Sequence, residues 1–192
     1  MARAGVTVER LARAGAELAD EVGFDKVTAS AVARRFDVTV ASLYSHVANA
    51  HDLRVRVALL ALAELADRVS DAVSGRAGKD ALVAFADAYR AYAREHPGRY
   101  AATRMRLDTE TALRSAGPRH SAMARAILRG YGVPEEEQTH AVRLLGSTFH
   151  GFVSLEATGG FEHSGESETS WRRTLDALDV ALRHWPTPAP PA

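Results

Sequence analysis

The stretch Thr28-Ala-Ser-Ala-Val-Ala-Arg-Arg-Phe-Asp-Val-Thr-Val-Ala-Ser-Leu-Tyr-Ser-His-Val47 leaves few folds open. Its apolar residues sit at helical spacing on both sides of a short break, which predicts two short helices joined by a tight turn. Thr28 and Thr39 are each placed to accept a free backbone N–H from the first turn of the helix that follows. Ala31, Val32 and Phe36 give the first helix an apolar face, and Leu43 and Val47 do the same for the second. Val38 falls in the turn, where it can plug the angle between the helices. What the second helix leaves outward is Val40, Ala41, Ser42, Tyr44, Ser45 and His46, all small or hydrogen-bonding and none acidic. Such a surface can approach a DNA major groove closely and offer a tyrosine and a histidine to phosphates.

The rest of the chain narrows the class. At 192 residues, with 46% hydrophobic and 25% charged residues, it is long enough to bury a core as one or two soluble domains. It has no cysteine, which excludes disulfides and thiolate metal sites and fits a reducing cytoplasm. Met-Ala-Arg-Ala-Gly is not followed by an apolar signal-peptide core. The most apolar stretch, Val55 to Leu65, carries Arg56 and Glu64 and is too short to span a bilayer. Charge argues against a simple electrostatic DNA binder: 24 basic residues balance 24 acidic ones, and residues 1–56 hold eight Lys/Arg against seven Asp/Glu. A DNA-binding reading therefore expects segregated charge, with Arg34 and Arg35 near the groove and Glu17, Asp20 and Glu21 on the far side.

Periodicity predicts an all-α chain. A first helix is expected from about Val6 to Val22, with Val8, Leu11, Ala12, Leu18, Ala19 and Val22 as its stripe and Gly23 as its stop. After the paired short helices, a long helix is expected from about Asn49 to Val73, capped by Asn49 and apolar on more than one side. Gly75-Arg-Ala-Gly78 breaks the chain. Further helices are expected at about 80–95, 99–106, from Gly117-Pro118 onward, from Pro134 to about Ala157, and from about Ser167 to Trp185. The loop 159–167 is rich in Gly, Ser and Glu, and residues 186–192 read as a Pro-rich disordered tail. The division expected is 1–48 for the DNA-binding head and 49–185 for a second domain.

The run Gly23-Phe24, Thr28, Val32-Ala33, Val38-Thr39, Leu43-Tyr44, His46-Val47 and Leu53 resembles the DNA-binding domain of the TetR family of bacterial transcriptional regulators over residues 6–55. Two positions depart from that family: Asp37 stands where Gly is usual in the turn, and Ala50 where a phosphate-contacting Lys is usual. His51 is the nearest substitute for that Lys. The second half resembles the WHG-type regulatory domain of one TetR branch, through His96-Pro97-Gly98-x-Tyr100, His150-Gly-Phe-Val-Ser-Leu-Glu156 and Gly159-Gly160-Phe161, with Phe149 beside the His-Gly pair.

The resemblance implies a three-helix DNA-binding domain with a helix-turn-helix, joined by the long helix to a ligand-binding and dimerisation bundle. Its DNA-contacting set would be Thr28, Arg35, Thr39, Val40, Ala41, Ser42, Tyr44, Ser45, His46 and His51. Partners would be double-stranded operator DNA, a second copy of the chain and a small molecule. The last two helices each carry a broad apolar stripe; one apolar side suffices for an intramolecular core, and the second on the penultimate helix suggests burial against a partner, the residues expected at that interface being Leu144, Thr148, Phe152, Leu155, Trp171, Leu175 and Leu178, with Gly146 and Gly151 permitting close approach. Phe85, Tyr89, Tyr100, Met123, Ile127 and Phe149 could line an apolar cavity with Arg104 or His150 as polar anchor, Thr103 and His120 being further polar candidates. Such a cavity would take a neutral or weakly anionic, aromatic or lipid-like molecule. The eight histidines show no metal-ligand spacing, Gly75-Arg-Ala-Gly-Lys79 lacks the phosphate-loop pattern, and no nucleophile motif occurs, so no metal, cofactor or enzymatic activity is expected. A constitutive DNA binder, an activator, or a helical ligand-binding protein without DNA binding stay open as alternatives.

Overall fold

The computed structural model describes residues 7–163 and 165–186. Val6 and residues 187–192, expected as a helix start and a disordered tail, lie outside the described residues. All regular structure among the described residues is helical: α1 Val8–Val22, α2 Ala29–Arg35, α3 Val40–Leu43, α4 Ala50–Val73, α5 Gly78–Glu95, α6 Pro97–Ala102, α7 Thr109–Arg114, α8 Gly117–Gly130, α9 Gln138–Ala157 and α10 Ser167–Arg183. The chain forms two compact units. The N-terminal one runs to Leu65 and takes in Tyr92–Gly117; the C-terminal one comprises Ala66–Ala91 and the chain from Pro118 onward. Both α4 and α5 contribute residues to each unit.

In the N-terminal unit, Thr7 caps α1 by accepting the Arg10 N–H at 3.3 Å. Burial on α1 is wider than one stripe: Leu11, Ala14, Gly15, Ala16 and Ala19 are all inside, whereas Val22 is 42% exposed. Small residues here allow close packing. A Cβ on Gly15 would lie 2.6 Å from a methyl of Val57 on α4. The core of this unit gathers Leu11, Ala16, Val27, Val32, Leu43, Val47, Leu53 and Val57, and it also includes Ala102, with Met105 and Leu107 packed against it. α4 starts with a reciprocal cap: Asn49 accepts the Asp52 N–H, and the Asp52 carboxylate accepts the Ala48 N–H, each at 2.9 Å.

The short helix expected at 99–106 instead spans Pro97–Ala102, because Pro97 suits a first helical turn. α7 was not anticipated; Asp108 caps it by accepting the Thr111 N–H at 2.9 Å. Gly98 is required where it stands, since a Cβ there would lie 1.9 Å from the Ala19 carbonyl oxygen. α6 thus docks backbone to backbone on α1. Asp20 completes the joint: its carboxylate accepts the Arg99 backbone N–H at 2.8 Å, and lies 3.1 Å from His96 Nδ1 and from Arg99 Nε. Arg99 also reaches Glu64 on α4 at 3.2 Å, and the Tyr92 hydroxyl donates to the same carboxylate.

In the C-terminal unit the buried residues include Leu82, Phe85 and Ala86 of α5, Leu128 of α8, Leu145, Phe149 and Val153 of α9, and Trp171, Leu175 and Leu182 of α10, with Phe149 packed on both Phe85 and Trp171. Polar pairs fix the helices within it. Trp171 donates its indole N–H to Asp87 at 2.6 Å. Arg90, 4% exposed, pairs with Glu156 and Glu168 at 2.7 Å each and lies over the rings of Phe152 and Trp171. Pro134 does not open α9; it precedes a single 3-10 turn, Glu135–Glu137, after which α9 begins. α10 ends at Arg183, and Trp185 beyond it donates to Glu137 at 3.3 Å.

Candidate nucleic-acid interface

The turn between α2 and α3 is built by backbone chemistry. Thr28 accepts the Ala31 N–H at 3.2 Å and starts α2. At the far end Asp37 adopts a left-handed conformation with φ 52°, the one non-glycine residue to do so among the described residues. The Asp37 N–H then reaches the Arg34 carbonyl at 3.2 Å and the Val38 N–H the Ala33 carbonyl at 3.1 Å. This pair of bonds is the glycine-type helix stop, here performed by aspartate. Val38 and Phe36 turn inward against the core of the unit.

Thr39 caps α3 by accepting the Ser42 N–H at 3.1 Å. α3 is one turn long, Val40–Leu43, and the chain continues through turns to α4, so the expected second helix stops short of Val47. The inward residues are nonetheless Leu43 and Val47, 0% and 2% exposed. Outward lie Thr39, Ala41, Ser42, Tyr44 and Ser45, with Tyr44 44% exposed; Val40 and His46 are half-buried. Val40 also packs on the core, which leaves it less of its surface for a base edge. Ser45 Oγ donates to the Ser42 carbonyl at 2.6 Å, and His51 is exposed in the first turn of α4. Thr28 and Thr39 use their hydroxyl oxygens as caps and keep their O–H groups to donate.

Arg35 pairs across to α1. Its guanidinium binds both oxygens of Glu21 at 2.8 and 2.9 Å, and Glu17 at 3.2 Å. These ion pairs hold its guanidinium further charged, raising its pKa chiefly through the Glu21 hydrogen bond. Glu17 and Glu21, one turn apart on α1, therefore face α2 and occupy the arginine instead of lying on the far side. Arg35 thus pairs with α1 while 35% of its side chain stays exposed.

The residues expected in a cavity are divided between the two units. Tyr100, buried, and Arg104, exposed, belong to the N-terminal unit, whereas Phe85, Tyr89, Met123, Ile127, Phe149 and His150 belong to the C-terminal one. Phe85, Tyr89 and Phe149 pack on one another with ring centroids 5.1 to 6.4 Å apart, and Phe149 continues onto Trp171. Tyr89 shares a 2.7 Å hydrogen bond with His120 Nδ1. His150 lies 3.4 Å from Ser154 Oγ. Met123 and Ile127 line a separate cleft of about 210 Å³ with Val73, Ala77, Ala81 and Ala126.

Of the residues expected between copies of the chain, Trp171, Leu175 and Leu178 are buried within the protomer, at 0%, 1% and 6% exposed. Their surface is already withdrawn from water, so they have little to offer a partner. Phe152 is half-buried, against Trp171 and Phe161. Leu144 and Leu155 remain 37% and 52% exposed, with Val180 of α10 at 58%. A Cβ on Gly146 or Gly151 would meet nothing within 4 Å. Among the described residues no group of His, Asp and Glu could hold a metal ion, and no helix is long and apolar enough to cross a membrane.

Residues 11–49 match the family described as bacterial regulatory proteins, tetR family, and residues 82–178 match the tetracyclin repressor-like C-terminal domain. The HTH-type transcriptional regulator YobS of Bacillus subtilis is 34% identical over 182 residues, covering 94% of this chain and 91% of its own. An HTH-type transcriptional regulator of Mycobacterium tuberculosis is 38% identical over 142 residues, covering 73% of this chain and 65% of its own length. Among solved structures, apo ActR of Streptomyces coelicolor aligns with a TM-score of 0.71 at 18% identity, covering 94% of this chain and 96% of that one. A TetR variant of Acinetobacter baumannii in complex with minocycline aligns at 0.70 and 21% identity, covering 94% and 98%. These two share the fold. A capped helix-turn-helix in the first matched segment and a helical second domain in the other meet in one conclusion: the chain belongs to the TetR family and is a DNA-binding transcriptional regulator, not an enzyme.

Proposed function

We propose that the chain acts as a homodimeric repressor that leaves its operator when a small molecule occupies its C-terminal unit. The observation that carries the DNA half is the outward face of α3 and the turn after it. Ala41, Ser42, Tyr44 and Ser45 are exposed there, no acidic residue intervenes from Val40 to His51, and Thr39 fixes the helix start. Ala41 and Ser42 read base edges; Tyr44, Ser45, His46, His51 and the Thr28 and Thr39 hydroxyls hold phosphates. Two-fold operators call for two such faces, hence a dimer. Its surface is assigned to Leu144, Thr148 and Leu155 with Val180, beside Gly146 and Gly151, rather than to the buried Trp171 and Leu175.

The ligand half rests on the cleft beside Met123 and Ile127 and on relatives solved with small molecules, minocycline on the Acinetobacter baumannii protein and (S)-DNPA on ActR. A ligand that prefers one packing of the bundle biases the head through α4, whose residues belong to both units, and lowers DNA affinity by the factor that DNA lowers its own. The test is a titration of DNA from upstream of the gene at several salt concentrations. Tyr44→Phe and His46→Ala are expected to weaken binding on every sequence and to flatten its salt dependence. Unchanged affinity in both variants refutes the assigned interface. Release by a compound in a metabolite screen supports the repressor mechanism; binding that persists through the whole screen makes the chain a constitutive binder, a reading that the close packing of Phe85, Tyr89 and Phe149 favours.

A further inference from the structure

The N-terminal unit holds a cleft of about 480 Å³ beside the joint of α6 and α1. That volume lies in the range of small-molecule sites. Phe24, Pro97 and Ala101 give it apolar walls, and its charged lining is Arg54, Asp20 and Asp25. The three charges are not equivalent. Asp20 has both oxygens engaged, by the Arg99 backbone N–H, His96 and Arg99 Nε. Asp25 is exposed to solvent. Arg54 is half-buried with its guanidinium 4.6 Å over the Phe24 ring, and its Nε is shielded from solvent with no hydrogen-bond partner among the described residues.

Arg54 lines the cleft with no ion pair of its own among the described residues, and such a guanidinium is a ready partner for an anion from outside the chain. A carboxylate meets the terminal nitrogens of the guanidinium, while stacking on the Phe24 ring favours its position at the cleft. The exposed Asp25 on the same lining disfavours a second negative charge. The apolar walls ask for a body without polar groups. We infer that this cleft binds a small organic monocarboxylate with an aromatic or short aliphatic body, its carboxylate on Arg54 and its body between Phe24, Pro97 and Ala101. The site is distinct from the C-terminal cleft invoked for operator release.

Benzoate is the probe, titrated calorimetrically into the full-length protein beside neutral benzamide and cationic benzylamine. Benzoate is expected to saturate one site per chain and to bind at least about tenfold more tightly than either isostere. Arg54→Met keeps the packed stem and is expected to weaken benzoate to the level of benzamide. Ala101→Phe fills the cleft from an exposed position and is expected to abolish binding of all three. Circular dichroism melts check that both variants fold, and Arg54→Lys, which keeps the charge, is expected to recover part of the affinity. Absence of saturable binding, equal binding of benzamide or benzylamine, or unchanged benzoate affinity in folded Arg54→Met and Ala101→Phe overturns the site. The readout is heat of binding and not DNA release, so its outcome is separate from that of the repressor reading.

Discussion

Asp37 shows how much a single backbone angle can decide. The turn of the helix-turn-helix needs a left-handed residue, and Asp37 supplies it at φ 52°. Aspartate bears that conformation better than most side chains, and a β-branched one bears it badly. Asp37→Gly should therefore keep the fold and its denaturation midpoint, whereas Asp37→Val should cost about 1–2 kcal/mol in urea unfolding. Much at this scale was legible in the sequence. The caps Thr28 and Thr39 and the inward Leu43 and Val47 follow from spacings of three and four residues, which local geometry fixes. The ion pairs of Arg35 were not legible for the opposite reason: its partners Glu17 and Glu21 sit on another helix, and pattern alone does not say which faces of two helices meet. At the positions proposed to read bases, Ala41→Arg should change the sequence recovered in binding-site selection, since Ala41 is exposed on α3; Val40→Gln should alter stability as well, because Val40 also packs inward.

Between helices, the informative contacts join residues far apart in the chain. Asp20 and Arg99 are separated by 79 positions, and Arg90 and Glu156 by 66. No periodicity announces such pairs; the only local hint was the unusual His96-Pro97-Gly98 string. Gly98→Ala should be severe, because its Cβ would meet the Ala19 carbonyl and not a movable side chain. A loss of about 3 kcal/mol in denaturant unfolding is expected. In the other unit, Arg90→Ala removes a 5% exposed cation and strands Glu156, itself 14% exposed. The cost should be about 3–5 kcal/mol, and Arg90→Ala with Glu156→Ala together should cost less than the sum of the two. Pro134 and α7 mark where boundaries escaped the sequence reading: a proline with three glutamates after it suits either a 3-10 or an α-helical first turn, and α7 buries none of its residues, so no apolar stripe betrays it.

For the molecule as a whole, acid is the simplest perturbation. The Glu168 carboxylate is held below its ordinary range by Arg172 and then Arg90, Asp176 by Lys79, and Asp108 by the Thr111 N–H. A carboxylate depressed in the folded state binds protons first when unfolded. Its stabilisation is thus complete at neutral pH and is lost as pH falls below about 4, through the lowered values. Urea midpoints should be level near neutrality and drop on that acid side, with Lys79→Met removing part of the slope. The division of the chain allows a sharper test. A fragment ending at residue 56 holds the whole helix-turn-helix but lacks Ala102, Met105 and Leu107, which the N-terminal core includes or packs against. It should be largely unfolded by circular dichroism, whereas a conventional reading of the head as residues 1–48 expects it to fold. Synthesis runs from the N-terminus, so a chain emerging from the ribosome carries the residues proposed to read DNA long before it can hold them in place. A premature stop anywhere upstream of Ala102 would then yield a product that carries these residues without the full core that orders them, and such a truncation would behave as a simple loss.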